Sequence, residues 1–399
     1  MKIHSLSLCA RVTLDLHNLN SEGTEGNQQQ TRMVHIIDEQ GSRQIVNAVS
    51  GDMFKHMLVG HLTPLLETAG EPLSDGARRL NPDRVNADEG FEKKIKGLEN
   101  SAVLDTVLQS CAVTDIAGTL ITAGRAVARK SCVEFGWVVG LPDRTVTEQY
   151  FHVKYAPETR AKSAGQAERG EGTVAGTQAI FHRPASSGVY ALICNIGLDR
   201  IGRNDITLNL AIQEPSRTQR ARAAVQALMA TLMHPSGAQR NTQNPHIVAC
   251  EGVVAVSATS LPAPTVSPLN PDYRDQMSGI AETLNRIAEG SVRTHPFDSL
   301  ATAWQVSCLI QLSLSASVAR PKRTGEKSKR KLTAPPSPVV VHRQQPMRFI
   351  AERRDHVHGK PTSSILWASR RSSVSRIASA MLSLSRYLST FPPTACAAL

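Results

Sequence analysis

Apolar and polar residues alternate over residues 3–17, with Leu6, Leu8, Ala10, Val12, Leu14 and Leu16 on one side and Ser5, Ser7, Cys9, Arg11, Thr13, Asp15 and His17 on the other. A period of two predicts a long strand with one buried and one polar face. The stretch Asn18 to Thr31, rich in Gly, Asn, Gln and Glu, reads as a loop, and short strands follow around Met33–Ile37 and Gln44–Val49. Ser50-Gly51-Asp52 then offers a helix N-cap, and Phe54, Met57, Leu58, Leu62 and Leu65 recur at helical spacing. Strand, loop and helix in that order begin a ferredoxin-like or RRM-type half.

Residues 70–100 read as an inserted, partly helical excursion, with the main chain resuming near Val103. The run Cys132–Val139 suits a strand, and the polar, glycine-rich residues 155–176 suit a long exposed hairpin or finger. Gln178–His182 and Val189–Ile196 read as a hairpin turning through Pro184-Ala-Ser-Ser-Gly188. The alternation of Ile206, Leu208, Leu210 and Ile212 predicts another strand. Ser216 is placed to cap a helix with Val225, Leu228, Met229 and Leu232 on one face, after which a polar loop leads into a strand over Ile247–Ala258. Tyr273, Met277, Ile280, Leu284 and Ile287 mark a helix that stops at Gly290. Beyond about Ala316 the chain is rich in Ser, Pro and Arg and has little that could bury a core; disorder is expected there, apart from a possible helix at Val374–Leu388.

The formal net charge of +11 invites a nucleic-acid reading, but its location changes the picture. From Ala316 onward there are 16 Lys and Arg against 3 Asp and Glu, leaving 29 basic and 31 acidic residues in the body. Any nucleic-acid path on the body must therefore be local. The seven cysteines form no Cys-x-x-Cys pair and no zinc spacing, which fits reduced thiols of a cytoplasmic protein. No run approaches a membrane span, so no membrane partner is expected. There is no phosphate-binding Walker sequence, no His-x-x-x-His with a partner acid and no Gly-x-Ser-x-Gly, so no metal, cofactor or catalytic residue is expected.

Three groups of residues suit a nucleic acid. The start of the helix at Ser50-Gly51 could hold a phosphate, with Lys55 and His56 one turn in, although the same residues equally make an ordinary N-cap. The amide-rich segment Asn18–Arg32 could contact sugars, base edges and phosphates, or be a solvated loop. The basic residues Arg125, Arg129 and Lys130, with Arg200, Arg203 and Asn204, could track a backbone or form a solvated face. Aromatic residues are only 4% of the chain, so base stacking on a sheet of aromatics is not expected.

The segments Leu16–Asn27, Thr31–His35 and Asn47–His56 resemble the CRISPR-associated DevR family, the backbone subunit of type I Cascade. The resemblance continues through Thr114–Gly118, Arg129–Phe135, Ser187–Tyr190, Arg200–Asp205, Pro235–Ala238, Gln243–His246, Pro262–Pro264 and Ser267–Asn270, spanning roughly residues 1–300. It implies an α+β protein: a modified RRM or ferredoxin-like palm (1–69 and 113–315), an inserted helical finger domain (70–112), a hairpin thumb (144–180) and a basic tail (316–399). The palm site would include Asn18, Asn27, Arg32, Ser50, Gly51, Lys55, His56 and His246, and the thumb would carry Lys154, Arg160 and Lys162. The resemblance further implies a non-catalytic subunit that stacks with copies of itself along CRISPR RNA, joins other Cascade subunits and presents the guide to target DNA. Related RNA-cleaving proteins carry an aspartate in the loop after the first strand; the corresponding residues here are Asn27-Gln-Gln-Gln30, with Glu22 and Glu25 nearby. A ribonuclease and a DNA-binding autoregulator are the alternatives.

Overall fold

The protein is described by a computed structural model covering residues 3–122, 124–154 and 179–316. The segment expected as a hairpin tip (155–176), with Arg160 and Lys162, and the tail beyond 316 lie outside the described residues.

Strand β1 (Ser5–His17) lies between β10 (Ala179–Gly197) and β11 (His246–Ser257), antiparallel to both. Beyond β10 come β9 (Val138–Lys154), β5 (Arg43–Val49) and β4 (Met33–Ile37), and β12 (Val292–Phe297) pairs with the far side of β11. Helix α1 (Gly51–Thr68) follows the first strand, and α6 (Ser216–Met233) joins β10 to β11. The four strands β1, β9, β10 and β11 therefore take the spatial order β11-β1-β10-β9, the fourth-first-third-second arrangement of a ferredoxin-like sheet.

Alternation along β1 sends Leu6, Leu8, Ala10, Val12 and Leu14 into the main core with residues of α1, α6 and α8 (Leu300–Ala316). Neither β12 nor α8 is evident from sequence pattern. In α8 the apolar residues from Val306 to Leu314 lie on both faces, with Leu309 and Leu312 exposed and Ser307 and Gln311 buried, which erases the helical period. The polar face of β1 is not solvated as expected. Cys9 packs with Val253, Ala255, Tyr273 and Met277 under α7 (Tyr273–Ile287). Ser7 donates to the Pro264 carbonyl, and Arg11 donates to the carbonyls of Pro268 (2.8 Å) and Asn270 (3.2 Å) while its guanidinium lies 5.5 Å from the Tyr273 ring centre. Small and polar residues are tolerated here because the 264–270 segment supplies acceptors.

Four local expectations are corrected. Residues 18–31 are not a loop: β2 (Ser21–Glu25) and β3 (Gln28–Thr31) form a hairpin turning at Gly26, where φ is +60°, and polar side chains on both strands hid the alternation. Residues 184–188 do not turn; they continue β10 alongside β9, with Pro184 opposite Gln149 and Gly188 opposite Thr145. The ladder is interrupted only where Leu141–Arg144 bulge out of β9, and Gly188 lets them do so: its φ is +154° and a Cβ there would lie 2.3 Å from the Arg144 carbonyl oxygen. Gly188→Ala is accordingly expected to destabilise the protein by roughly 1–3 kcal/mol, read as a lowered urea midpoint. Residues 206–212 form no strand beyond a single bridge from Arg203 to Leu210, and Ile206 and Leu208 are exposed. Finally, Ser216 begins α6 but does not cap it; its hydroxyl donates to Glu71 Oε2 at 2.6 Å.

After α1 the chain runs through α2 (Asp75–Arg78), a 3₁₀ turn (Arg84–Ala87), α3 (Phe91–Ile95), α4 (Asn100–Ser110) and α5 (Ala112–Ala117). A two-stranded sheet, β6 (Thr119–Ile121) and β7 (Val127–Arg129), comes next, and β8 (Val133–Phe135) then joins β10. Val85, Phe91, Ile95, Val103, Leu104, Val107, Ile121 and Val127 form a second, separate core, whereas α5 packs into the main one. Among the described residues no helix is long and apolar enough to cross a membrane. Five described cysteines are buried, Cys308 is exposed, and none of these six is in a disulfide.

Candidate nucleic-acid interface

The start of α1 is built as its sequence requires. The Ser50 hydroxyl accepts from the Met53 N–H at 3.2 Å, and the Ser50 N–H donates to Asn20 Oδ1 at 3.2 Å. Gly51 allows this first turn to sit on the segment after β8, since a Cβ would lie 2.6 Å from the Phe135 carbonyl oxygen. Beside that contact opens a cleft of about 350 Å³ bounded by Ser50, Gly51, Lys55, Lys130, Glu134 and Trp137, among others.

The cleft's cations differ in how they are paired. Lys130 lies 2.9 Å from Glu134, an exposed pair that contributes little net energy. Lys55 is half-buried and has no hydrogen bond or ion pair with any described residue. Burial and the charge of Arg84 lower its pKa, against the opposing pull of Asp52 and Glu134. Arg32 pairs with Glu22 and stacks 5.3 Å from the ring centre of Trp137, which is 43% exposed. Arg32, Ser50, Gly51, Lys55 and Lys130 therefore converge from separate segments. Trp137 was missed. Its signal was an aromatic directly after Gly136, in the break between β8 and β9.

Behind this surface lies a buried polar layer. Asn18, 2% exposed, donates to Gln29 at 3.4 Å, and its side-chain oxygen Oδ1 has no partner among the described residues. Asn47 accepts from the Tyr190 hydroxyl at 2.9 Å and donates to the Arg32 carbonyl at 3.1 Å, holding β5 to β10 and to the residue that carries the cation. His17 meets Tyr190 edge-on at 5.0 Å, and burial pushes its pKa down to about 4. Asn18 thus supports the site from below.

The second basic group has a different fate. The Arg129 side chain is 0% exposed and gives its donors to the Asp115 carbonyl and carboxylate, the carbonyls of Arg200 and Arg203, Asp205 Oδ1 and the Cys132 sulfur. No donor is left for RNA, so the expected contact is corrected to a structural role. Asn204 is likewise buried, donating to Ser101 and Asp105 and accepting from the N–H groups of Ile206 and Thr207. Arg200 donates to the carbonyls of Lys130 and Ser131 at 2.9 Å each, fixing the segment that borders the cleft.

The remaining expected residues lie elsewhere. Arg125 donates to the Leu98 carbonyl at 2.6 Å, and Arg203 to that of Leu208 at 2.6 Å. Asn27 is exposed at the β2–β3 turn, His56 is exposed on α1, and His246 is exposed opposite Asp15. Nothing is described of the Lys154 side chain. Among the described residues no group of three or more His, Cys, Asp or Glu could hold a metal ion.

A family model described as "CRISPR-associated negative auto-regulator DevR/Csa2" matches residues 8–278. No curated protein matches the chain. Among solved structures, a chain titled "CRISPR RNA-guided surveillance complex, pre-nicking" is 11% identical with a TM-score of 0.43, covering 78% of this chain and 100% of that one. A chain titled "CRISPR RNA-guided surveillance complex" is 13% identical with a TM-score of 0.40, covering 78% and 99%. Csc2 of Thermofilum pendens is 12% identical with a TM-score of 0.33, covering 79% and 87%.

Proposed function

Because the chain belongs to the CRISPR-associated DevR/Csa2 family, matched over residues 8–278, we propose that it is a non-catalytic RNA-binding backbone subunit of a type I CRISPR surveillance complex. Copies stack along the guide RNA in the cytoplasm beside other Cascade subunits and hold the guide for pairing with target DNA. The ferredoxin-like sheet with α1 and α6 is the palm, and the finger domain, expected over residues 70–112, is the unit whose own small core also takes in Ile121 and Val127 of β6 and β7. The extension of β9 and β10 beyond the bulge is the base of the thumb.

The observation that carries this reading is the convergence of Arg32, Lys55, Lys130 and Trp137 around the first turn of α1. Free N–H groups at a helix start and two lysines favour phosphate oxygens. A stacked Arg–Trp pair offers a plane to a sugar or base. Contacts of this kind position a strand without reading its sequence, as a subunit serving many different guides requires. The non-catalytic part rests on the β2–β3 hairpin, where Asn27 and Gln28–Gln30 stand in place of the aspartate of RNA-cleaving relatives, and on Glu22, which pairs with Arg32; Glu25 is the exposed carboxylate beside the turn.

Replacing both Lys55 and Lys130 with alanine is expected to weaken binding of single-stranded RNA about a hundredfold at low salt. The same change should reduce the slope of log affinity against log salt by about 1.4, at about 0.7 per lost phosphate contact. An unchanged slope in fluorescence anisotropy would remove the cleft from the interface. RNA cleavage abolished in a Glu22 and Glu25 double variant would instead favour a ribonuclease, and tight binding of promoter duplex without RNA would favour an autoregulator.

A further inference from the structure

Arg84 opens the 3₁₀ turn of the inserted unit and was not among the residues expected to bind anything. Its backbone has φ +48°, a left-handed conformation unusual for a non-glycine residue. One end of its guanidinium is anchored: Nη1 donates to the carbonyl oxygens of Gly118 (2.7 Å) and Pro82 (3.3 Å). The other edge is uncommitted, since Nε is buried without a partner and Nη2 has no hydrogen bond to any described residue. Among the described residues no carboxylate lies within ion-pair distance of Arg84.

The anchor brings Arg84 near the cleft, which it does not itself line. A Cβ on Gly118 would lie 2.8 Å from the Ser131 nitrogen, and Ser131 lines the cleft together with Lys55. Lys55 and Arg84 repel each other, and both have their pKa values lowered, mainly by burial. Asp52 and Glu134 for the lysine, and Asp83 for the arginine, act on them only at a distance. Lys55 and Arg84 are thus half-buried cations from different units, neither with an anionic partner within ion-pair distance among the described residues. Such an arrangement costs free energy until an anion is bound.

We propose that Lys55 and Arg84 form a single anion subsite, in which the uncommitted Nη2 of Arg84 donates to a phosphodiester group that Lys55 also contacts. Resting on the RNA-binding reading above, this subsite makes the inserted unit a direct participant in strand binding.

The test uses the full chain in two measurements. In RNA anisotropy over a salt series, Arg84→Gln is expected to weaken binding about tenfold and lower the salt slope by about 0.7, while Arg84→Lys restores the slope. Lys55→Ala with Arg84→Gln should weaken binding by less than the product of the single effects, as for two groups on one phosphate. Separately, inorganic tripolyphosphate should protect Lys55 from acetylation in the native protein and fail to do so in Arg84→Gln. If Arg84→Gln binds RNA like the native protein while Lys130→Ala does not, the subsite is overturned and the RNA-binding reading stands. If the native protein binds no RNA, that reading falls, and the subsite survives only if tripolyphosphate protection depends on Arg84. Absence of protection overturns it.

Discussion

Asp115→Ala is expected to lower the stability of the protein by about 3–5 kcal/mol, the range for removing one partner from a buried ionic cluster. Asp115 is 0% exposed and lies between two buried guanidiniums, Arg129 at 2.8 Å and Arg220 at 2.9 Å. Its two oxygens also accept the Gly202 N–H, at 3.1 and 2.9 Å. Alanine would leave both arginines short of a counter-charge that only Asp205 and Glu71 could partly replace, and would orphan a buried N–H. The cluster joins α5, β7, the 199–205 segment and α6, so its loss loosens the inserted unit and the palm together. The measurement is the urea midpoint of Asp115→Ala, and of a second variant that also carries Arg220→Met. The double variant should be less destabilised than the single losses added together, because Asp115 and Arg220 share one ion pair, even though Glu71 is then left buried with only the Ser216 hydroxyl. A midpoint unchanged in Asp115→Ala would show that the cluster makes no net contribution.

The second large effect is a loss of stability in acid through His17. Its pKa is about 4 in the folded protein and ordinarily about 6.5, so between those values the unfolded chain binds a proton that the folded one excludes. Stability is therefore fully present above pH 6.5, declines as the pH falls, and by pH 4 has dropped by about 3 kcal/mol on account of this residue. Burial is the cause: Nδ1 accepts from the Leu19 N–H at 3.5 Å, Nε2 has no partner, and the ring lies against Tyr190. Carboxylates titrate in the same range, so the informative quantity is the difference between the native protein and His17→Gln, measured by urea unfolding from pH 7 to pH 4. The difference should change by about 3 kcal/mol across that window. A constant difference would mean that His17 is readily protonated in the fold.

Much of this architecture is legible in the sequence wherever one face of an element meets the core. The alternation of β1, the stripe and cap of α1 and the periodicity of α7 each identify their element. Legibility fails where polar residues are satisfied internally or apolar ones lose their period. Pro184-Ala-Ser-Ser-Gly188 has the composition of a turn, yet pairing with β9 keeps it extended. α8 carries apolar residues on both faces, so no face stands out. The site shows the same division. Ser50, Gly51 and Lys55 are neighbours in sequence, so their sharing one cleft is legible there, whereas Lys130 reaches the same cleft from a distant segment. Arg129 was misjudged because nothing local distinguishes a solvated arginine from one whose carboxylates lie 14 and 76 residues away. Arg84 and Trp137 take their meaning from contacts across the chain, with Gly118 and Arg32 respectively.

The central position of β1 also has a consequence during synthesis. The strand is complete at His17, but both of its neighbours come late: β10 begins at Ala179 and β11 at His246. At ribosomal elongation rates of about 5–20 residues per second, this central strand emerges with both edges open and waits on the order of ten seconds for its first partner. Throughout that wait it can pair with any other extended chain. The nascent polypeptide, more than the finished protein, is the species that needs a chaperone's protection.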